Sequence, residues 1–178
     1  MKEQLLHLPK PHGLYHPNNE KENCGVGFIA HIKGEPSHQI TADALEMLTR
    51  MDHRGGCGCE SNTGDGAGIL TDIPHEFFIK EIKADFGVDV KPGNYGIGNI
   101  FLPQNDSERA HCISVLEQAI KDEGQTLVGW RDVPIDTDKA DVGDTARASQ
   151  PIIKQLIIAS ADGLDNKAFE RTLFIIRK

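Results

Sequence analysis

Nowhere in this chain of 178 residues does an apolar run approach the roughly 18 residues that a membrane helix requires. The apolar runs are short, such as those at 156–159 and 173–176. A membrane is therefore not an expected partner. Basic residues are in deficit, with 19 Lys and Arg against 27 Asp and Glu and a formal charge of −8. That balance excludes the basic face on which a nucleic-acid backbone binder depends. Four cysteines, Cys24, Cys57, Cys59 and Cys112, are too few and too irregular for a disulfide framework, and point to a reducing, cytoplasmic compartment. There is no internal repeat and no low-complexity tract. What is present is the composition of a globular protein, 38% apolar and 26% charged. The length suits one domain, or one with a small appendage, able to bury roughly 70% of its unfolded surface.

Residues 1–23 are not a secretion signal, because they lack a continuous apolar stretch and a small-residue cleavage site. Pro9, Pro11 and Pro17 prevent a long helix, and Lys2 stands where N-myristoylation needs glycine. The expectation is an extended, solvated leader that ends where Asn23 meets Cys24.

Beyond it, residues 25–32 follow a period of two, with Val26, Phe28, Ala30 and Ile32 on one face and Gly25 and Gly27 on the other. This predicts a strand whose glycines permit a close approach to the backbone. A turn at 33–37 leads to a helix capped by Thr41, with Ala44, Leu45, Leu48 and Met51 as its stripe and Gly55 at its end. Six of the 14 residues from 55 to 68 are glycine, which makes that segment a loop with unusual backbone angles. A short strand is expected at 69–73. Pro74 then opens a helix with Phe78, Ile82 and Phe86 in its stripe, stopped by Gly87. A strand at 95–102 follows, then a helix capped within 105–107 and ended by Gly124, with Ile113, Leu116 and Ile120 inward. Strands are expected at 126–133 and 152–160, separated by a polar loop at 134–150. A last helix begins at Asp165 or Asn166 and turns Phe169, Leu173 and Ile176 inward. This order suits a layered domain of helices and strands.

Among the reactive residues, Cys24 is the sharpest. Freed by removal of 1–23, it would carry a thiol and an α-amine with ordinary pKa values of about 8.5 and about 7.7–8.0, matched for proton exchange near neutrality. That is the logic of N-terminal-nucleophile enzymes, whereas an uncleaved chain has only an amide there. The bland alternative is a buried cysteine packed as a small hydrophobe. Arg54, at a helix end, is either a solvated charge offsetting the dipole or a planar fork of donors reaching into a site. The loop at 63–68, containing Asp65 and Gly66, could cradle an anion through its amides. It lacks the Lys and Ser/Thr of a phosphate loop and precedes a strand, so a structural loop is its default. Cys57 and Cys59 with His53 and His31 fit no common zinc spacing.

Taken together, the segments CGVGFIA at 24–30, His53-Arg54-Gly55, TGDGAGI at 63–69 and IPHEFF at 73–78 resemble the start of the large subunit of the glutamate synthases. WRDVP at 130–134 is similar to a later strand and turn of the same family. That start is a class II glutamine amidotransferase domain of N-terminal-nucleophile type. The resemblance implies an α+β, four-layer αββα fold, incomplete in this chain, with a propeptide at 1–23 and the amidotransferase domain at 24–178. It makes Cys24 the nucleophile towards the glutamine side-chain amide. It makes Arg54 a support for the N-terminal cysteine, and places Asp65 and Gly66 beneath the site. It implies no cofactor here, but FMN and an iron–sulfur cluster in the full-length enzyme. There ammonia would serve reductive synthesis of glutamate from 2-oxoglutarate, the remainder of the large subunit and a small electron-donating subunit being partners.

One departure stands out. The family's Asn-Gly oxyanion pair and its arginine and aspartate for the substrate lie further along the chain, and no His-Asn-Gly-Glu-type segment occurs in these 178 residues. Loss of one oxyanion donor costs on the order of 10²–10³ in rate. The expectation is a fragment inactive alone. The rival reading is a non-catalytic α/β interaction module with a buried Cys24 and a flexible leader.

Overall fold

The computed structural model describes residues 11–14, 16, 25–51, 63, 66–161 and 164–178. They fall into two compact units, the first formed by Met1–Thr71 with Asp141–Gly143 and the second by Asp72–Ala140 with Asp144–Lys178.

In the first unit, helix α1 spans His38–Arg50. It begins earlier than the Thr41 cap expected from sequence, because the Ser37 hydroxyl accepts the Gln39 N–H at 3.1 Å and opens the helix four residues sooner. Ala44, Leu48 and Met51 are half-buried as expected, but Met47 takes the place of Leu45, which is exposed. Gly55, the expected helix end, lies outside the described residues.

The second unit contains the remaining elements. Helix α2, His75–Phe86, stops at Gly87, whose left-handed φ of 69° lets its N–H close on the Lys83 carbonyl. Strand β1 is Tyr95–Leu102. Helix α3, Asp106–Asp122, is capped by the Asn105 side-chain oxygen, which accepts the N–H groups of Ser107 and Glu108, both at 3.0 Å. Strand β2, Thr126–Asp132, precedes a short helix α4, Asp144–Ser149, then strand β3, Ile152–Ala159, and helix α5, Asn166–Arg177, capped by Asp165.

The strands form one antiparallel sheet in the order β1-β3-β2, with a register shift in β2 between Leu127 and Gly129. β3, last in sequence, is central. Alternation along it sends Leu156 and Ile158 to one face, into a core with Ile120 of α3 and Phe169 and Ile176 of α5. Ile157 points the other way, into a core with Ile82 of α2, Val90 and Tyr95. A central strand covered on both faces explains its apolar run at 156–159. The Trp130 indole donates to Glu117 at 2.9 Å and ties β2 to α3. On the opposite face Arg131 bonds Glu81 at 2.9 Å and lies 3.4 Å from Asp85, tying β2 to α2.

Three expectations need correction. Residues 25–32 form no strand, and neither do 69–73. A strand requires a hydrogen-bonded neighbour, and among the described residues none lies beside either segment. The polar stretch 134–150 is not wholly a loop, since it contains α4. That six-residue helix lacks an apolar stripe; its Arg147 donates to the Thr137 carbonyl at 3.0 Å and pairs with Asp138 at 3.6 Å. The mixed helix and strand class agrees with the sequence, but the described strands make one small sheet and not the two inner layers of an αββα arrangement.

Candidate functional site

The segment after Cys24 carries the alternation that sequence reading took for a core strand, and the structure gives it a different setting. Val26, Phe28 and Ile32 are 94%, 89% and 102% exposed. The glycine face fares as expected: a methyl group added to Gly27 would collide with the Met47 sulfur of α1. The close approach permitted by that glycine is therefore made by a helix side chain. The turn expected after the segment is present, with Gly34 at φ 71° donating to the His31 carbonyl at 2.9 Å. The His31 Nδ1 accepts the Glu35 N–H at 3.1 Å, which places the proton of the neutral ring on Nε2.

Of the residues singled out for chemistry, Cys24, Arg54 and Asp65 lie outside the described residues, as do His53, Cys57 and Cys59. Gly66 is described, and its φ of 93° lies where an L side chain is strained. Among the described residues nothing stands within 4 Å of where its Cβ would be, so it is the backbone conformation that favours glycine there. Beside it in sequence, the Thr63 hydroxyl accepts the backbone N–H of Gly143 at 2.9 Å across 80 residues. Gly143 is buried, and Asp141 before it adopts a positive φ of 46°. Sequence reading missed this tether. No periodicity or motif marks a hydroxyl that meets a distant backbone amide.

Elsewhere, a cleft of about 370 Å³ lies in the second unit, lined by Gln104, Asp132, Thr137, Arg147 and Gln150 among others. Its cation is already engaged by Asp138 and Thr137, and its amide Gln104 donates to the carbonyls of Ala148 and Gln150. These groups staple the β2–β3 connection and leave little to grip a ligand. Among the described residues the one displaced ionisation is that of Tyr95, whose phenol burial pushes up and whose oxygen lies 2.8 Å from His75 Nδ1. Among the described residues no His, Cys, Asp or Glu cluster could hold a metal ion, and no helix is long and apolar enough to cross a membrane.

Comparison with known proteins assigns these residues to a family. Residues 24–178 match the family described as Glutamine amidotransferases class-II. The chain is 44% identical over 172 residues to the glutamate synthase [NADPH] large chain of Bacillus subtilis, covering 96% of this chain and 11% of that protein. It is 38% identical over 177 residues to the glutamate synthase [NADH] of Schizosaccharomyces pombe, covering 96% of this chain and 8% of that protein. It is 39% identical over 160 residues to ferredoxin-dependent glutamate synthase 1 of Arabidopsis thaliana, covering 90% and 10%. The chain thus spans about a tenth of the length of the curated relatives it matches. It belongs to the class II glutamine amidotransferases and is homologous to the amidotransferase domain of glutamate synthase.

Proposed function

We propose that this chain supplies the nucleophile of a glutamine-hydrolysing site, Cys24, exposed by removal of residues 1–23. The observation that carries the reading is where the family match begins: it starts on Cys24 and leaves the proline-interrupted leader outside. The α-amine of the freed cysteine takes the thiol proton, and the sulfur attacks the side-chain carbonyl carbon of glutamine. The carbon–nitrogen bond breaks, ammonia leaves with the transferred proton, and a γ-glutamyl thioester remains. Water then cleaves the thioester to glutamate and restores the thiol. Arg54 holds the N-terminal cysteine and its surroundings. Asp65 and Gly66 form the floor beneath it, where the left-handed Gly66 fits a tight backbone path.

The oxyanion donors and the groups that grip the substrate's carboxylate and amine come from outside these 178 residues, so the polypeptide alone does not turn over glutamine at a useful rate. The complete domain takes the four-layer αββα form of N-terminal-nucleophile hydrolases. In the larger protein the ammonia converts 2-oxoglutarate to glutamate. FMN and an iron–sulfur cluster would supply the electron transfer there; none of the residues described above has the ligand set for either group, and their sites belong to other parts of that protein.

The test uses the full-length parent enzyme. Its mature chain should begin at Cys24 by mass spectrometry, and a diazoketone analogue of glutamine should label that residue. Cys24→Ala should abolish glutamine-dependent synthesis while sparing part of the ammonia-dependent reaction. A parent that retains residues 1–23 and still hydrolyses glutamine overturns the mechanism, as does equal loss of both activities in the variant.

A further inference from the structure

The loop that carries Asp65 and Gly66 has few local reasons to hold one path. Residues 66–70 are exposed, and among the described residues nothing stands within 4 Å of a Cβ added at Gly66 or Gly68. Gly66 sits at φ 93°, a region that glycine enters freely and leaves as freely. Side-chain packing among the described residues therefore does not fix this backbone. Such a segment needs an anchor, because each residue left unfixed keeps its conformational entropy.

Thr63 has the chemistry of that anchor. Its hydroxyl accepts the Gly143 N–H at 2.9 Å. Gly143 is buried, and a buried backbone N–H left without an acceptor is costly, so the bond is held from both ends. Thr63 is β-branched, which restricts its hydroxyl to few rotamers and makes it a stiff post. The other end is shaped to meet it. Asp141–Gly143 belong to the first compact unit, with Thr63 and Gly66, although the chain on either side of them belongs to the second. Asp141 takes a φ of 46°, a turn that few side chains adopt and that persists where contacts beyond it hold it. Gly66 follows Thr63 by three residues, with Asp65 between them.

On the footing of the function proposed above, we propose that Thr63 is a positioning residue of the glutamine-hydrolysing site. By holding the Gly143 amide it fixes the path of the loop that carries Asp65 and Gly66, and through that loop the place of the Cys24 sulfur. Its role is geometric: it moves no proton and forms no bond to glutamine. A displacement of about 1 Å at a reacting group costs on the order of 10²-fold in rate. The groups that grip the substrate come from outside these 178 residues, so loss of the anchor lowers kcat and leaves KM for glutamine in place.

The experiment compares Thr63→Val and Thr63→Ser in the full-length parent enzyme. Valine keeps the shape of the side chain and removes the acceptor, while serine keeps the oxygen. Hydrogen exchange across residues 138–146 reports the bond itself, and mass spectrometry confirms that each mature chain begins at Cys24. Thr63→Val should speed exchange at the Gly143 amide and lower kcat for glutamine hydrolysis about tenfold or more, with KM unchanged. Labelling of Cys24 by the diazoketone analogue should slow in step, and ammonia-dependent synthesis should be spared. Thr63→Ser should stay within about threefold of the parent. A valine variant with the parent's kcat overturns the proposal. So does equal loss of the glutamine-dependent and ammonia-dependent reactions, which makes Thr63 a general support of the fold. A rise in KM at constant kcat, a serine variant as poor as valine, or a loss that traces to an unremoved leader also overturns it. Cys24→Ala, assayed alongside, separates the two readings. Glutamine hydrolysis that survives Cys24→Ala sinks the proposed function, whereas an unaffected Thr63→Val beside an inactive Cys24→Ala sinks only the role of Thr63.

Discussion

Two segments of this protein carry equally strong apolar patterns and meet opposite fates. Residues 25–32 place Val26, Phe28 and Ile32 on one side by a period of two, yet all three stand almost fully exposed. β3 has a less regular pattern with a continuous run only at 156–159, and its Ile157 is 0% exposed. The difference is not propensity. β3 has a bonded strand on each side and helices over both faces. No strand among the described residues borders 25–32. Period and composition select which residues can be buried; neighbours decide whether they are.

That contrast can be broken by substitution. Ile157→Ala should cost about 2–5 kcal/mol, because it empties a site closed on all sides. Phe28→Ser should change stability by less than about 0.5 kcal/mol, because the ring covers little. Urea unfolding followed by far-ultraviolet circular dichroism of the whole chain measures both. Comparable losses for the two would mean that 25–32 is buried in solution.

Two glycines sharpen the same comparison. A methyl at Gly129 would run into the Phe86 ring, while one at Gly27 would meet the tip of Met47. A thioether swings aside and an aromatic ring packed on a core does not. Gly129→Ala should therefore cost about 1–3 kcal/mol and Gly27→Ala clearly less, as read from thermal midpoints. Asn105→Ala removes the cap of α3, and should cost about 1 kcal/mol with fraying confined to the first turn of α3 in amide exchange.

The smallest effect is a pH slope. Burial raises the Tyr95 phenol, so the unfolded chain gives up that proton at lower pH than the folded one. The resulting stability is complete below the ordinary tyrosine value of about 10 and is lost as pH rises through the folded value. Tyr95→Phe should flatten that alkaline decline in a pH series of unfolding midpoints, at the expense of the contact with His75. An unchanged slope would place the decline in other groups.

The second unit was largely legible in the sequence because its signals are local. Asn105 and Asp165 cap helices, Gly87 and Gly124 end them, and β1, β2 and β3 are bounded by turn residues within a position or two of their observed limits. α4 was not legible, since its six residues hold no apolar stripe and Arg147 ties it down from within. The start of α1 was misplaced because Ser37 and Thr41 are both good caps, and only the Ser37 bond to Gln39 decides between them. For the site, periodicity singled out the glycines at 25 and 27, residue chemistry singled out Cys24 and Arg54, and family resemblance gave expected roles to Cys24, Arg54, Asp65 and Gly66. None of these could find the Thr63–Gly143 tether, which depends on where two distant segments come to rest.

The strand order β1-β3-β2 also has a temporal meaning. On the ribosome, the two outer strands emerge with no mate, because the piece that joins them is made last. Until residue 159 clears the exit tunnel, nothing can zip the sheet shut. A nascent chain stalled near the β2–β3 connection would display a bare, uncharged ribbon. Such truncated products should be clients for trigger-type chaperones to a degree that finished chains are not.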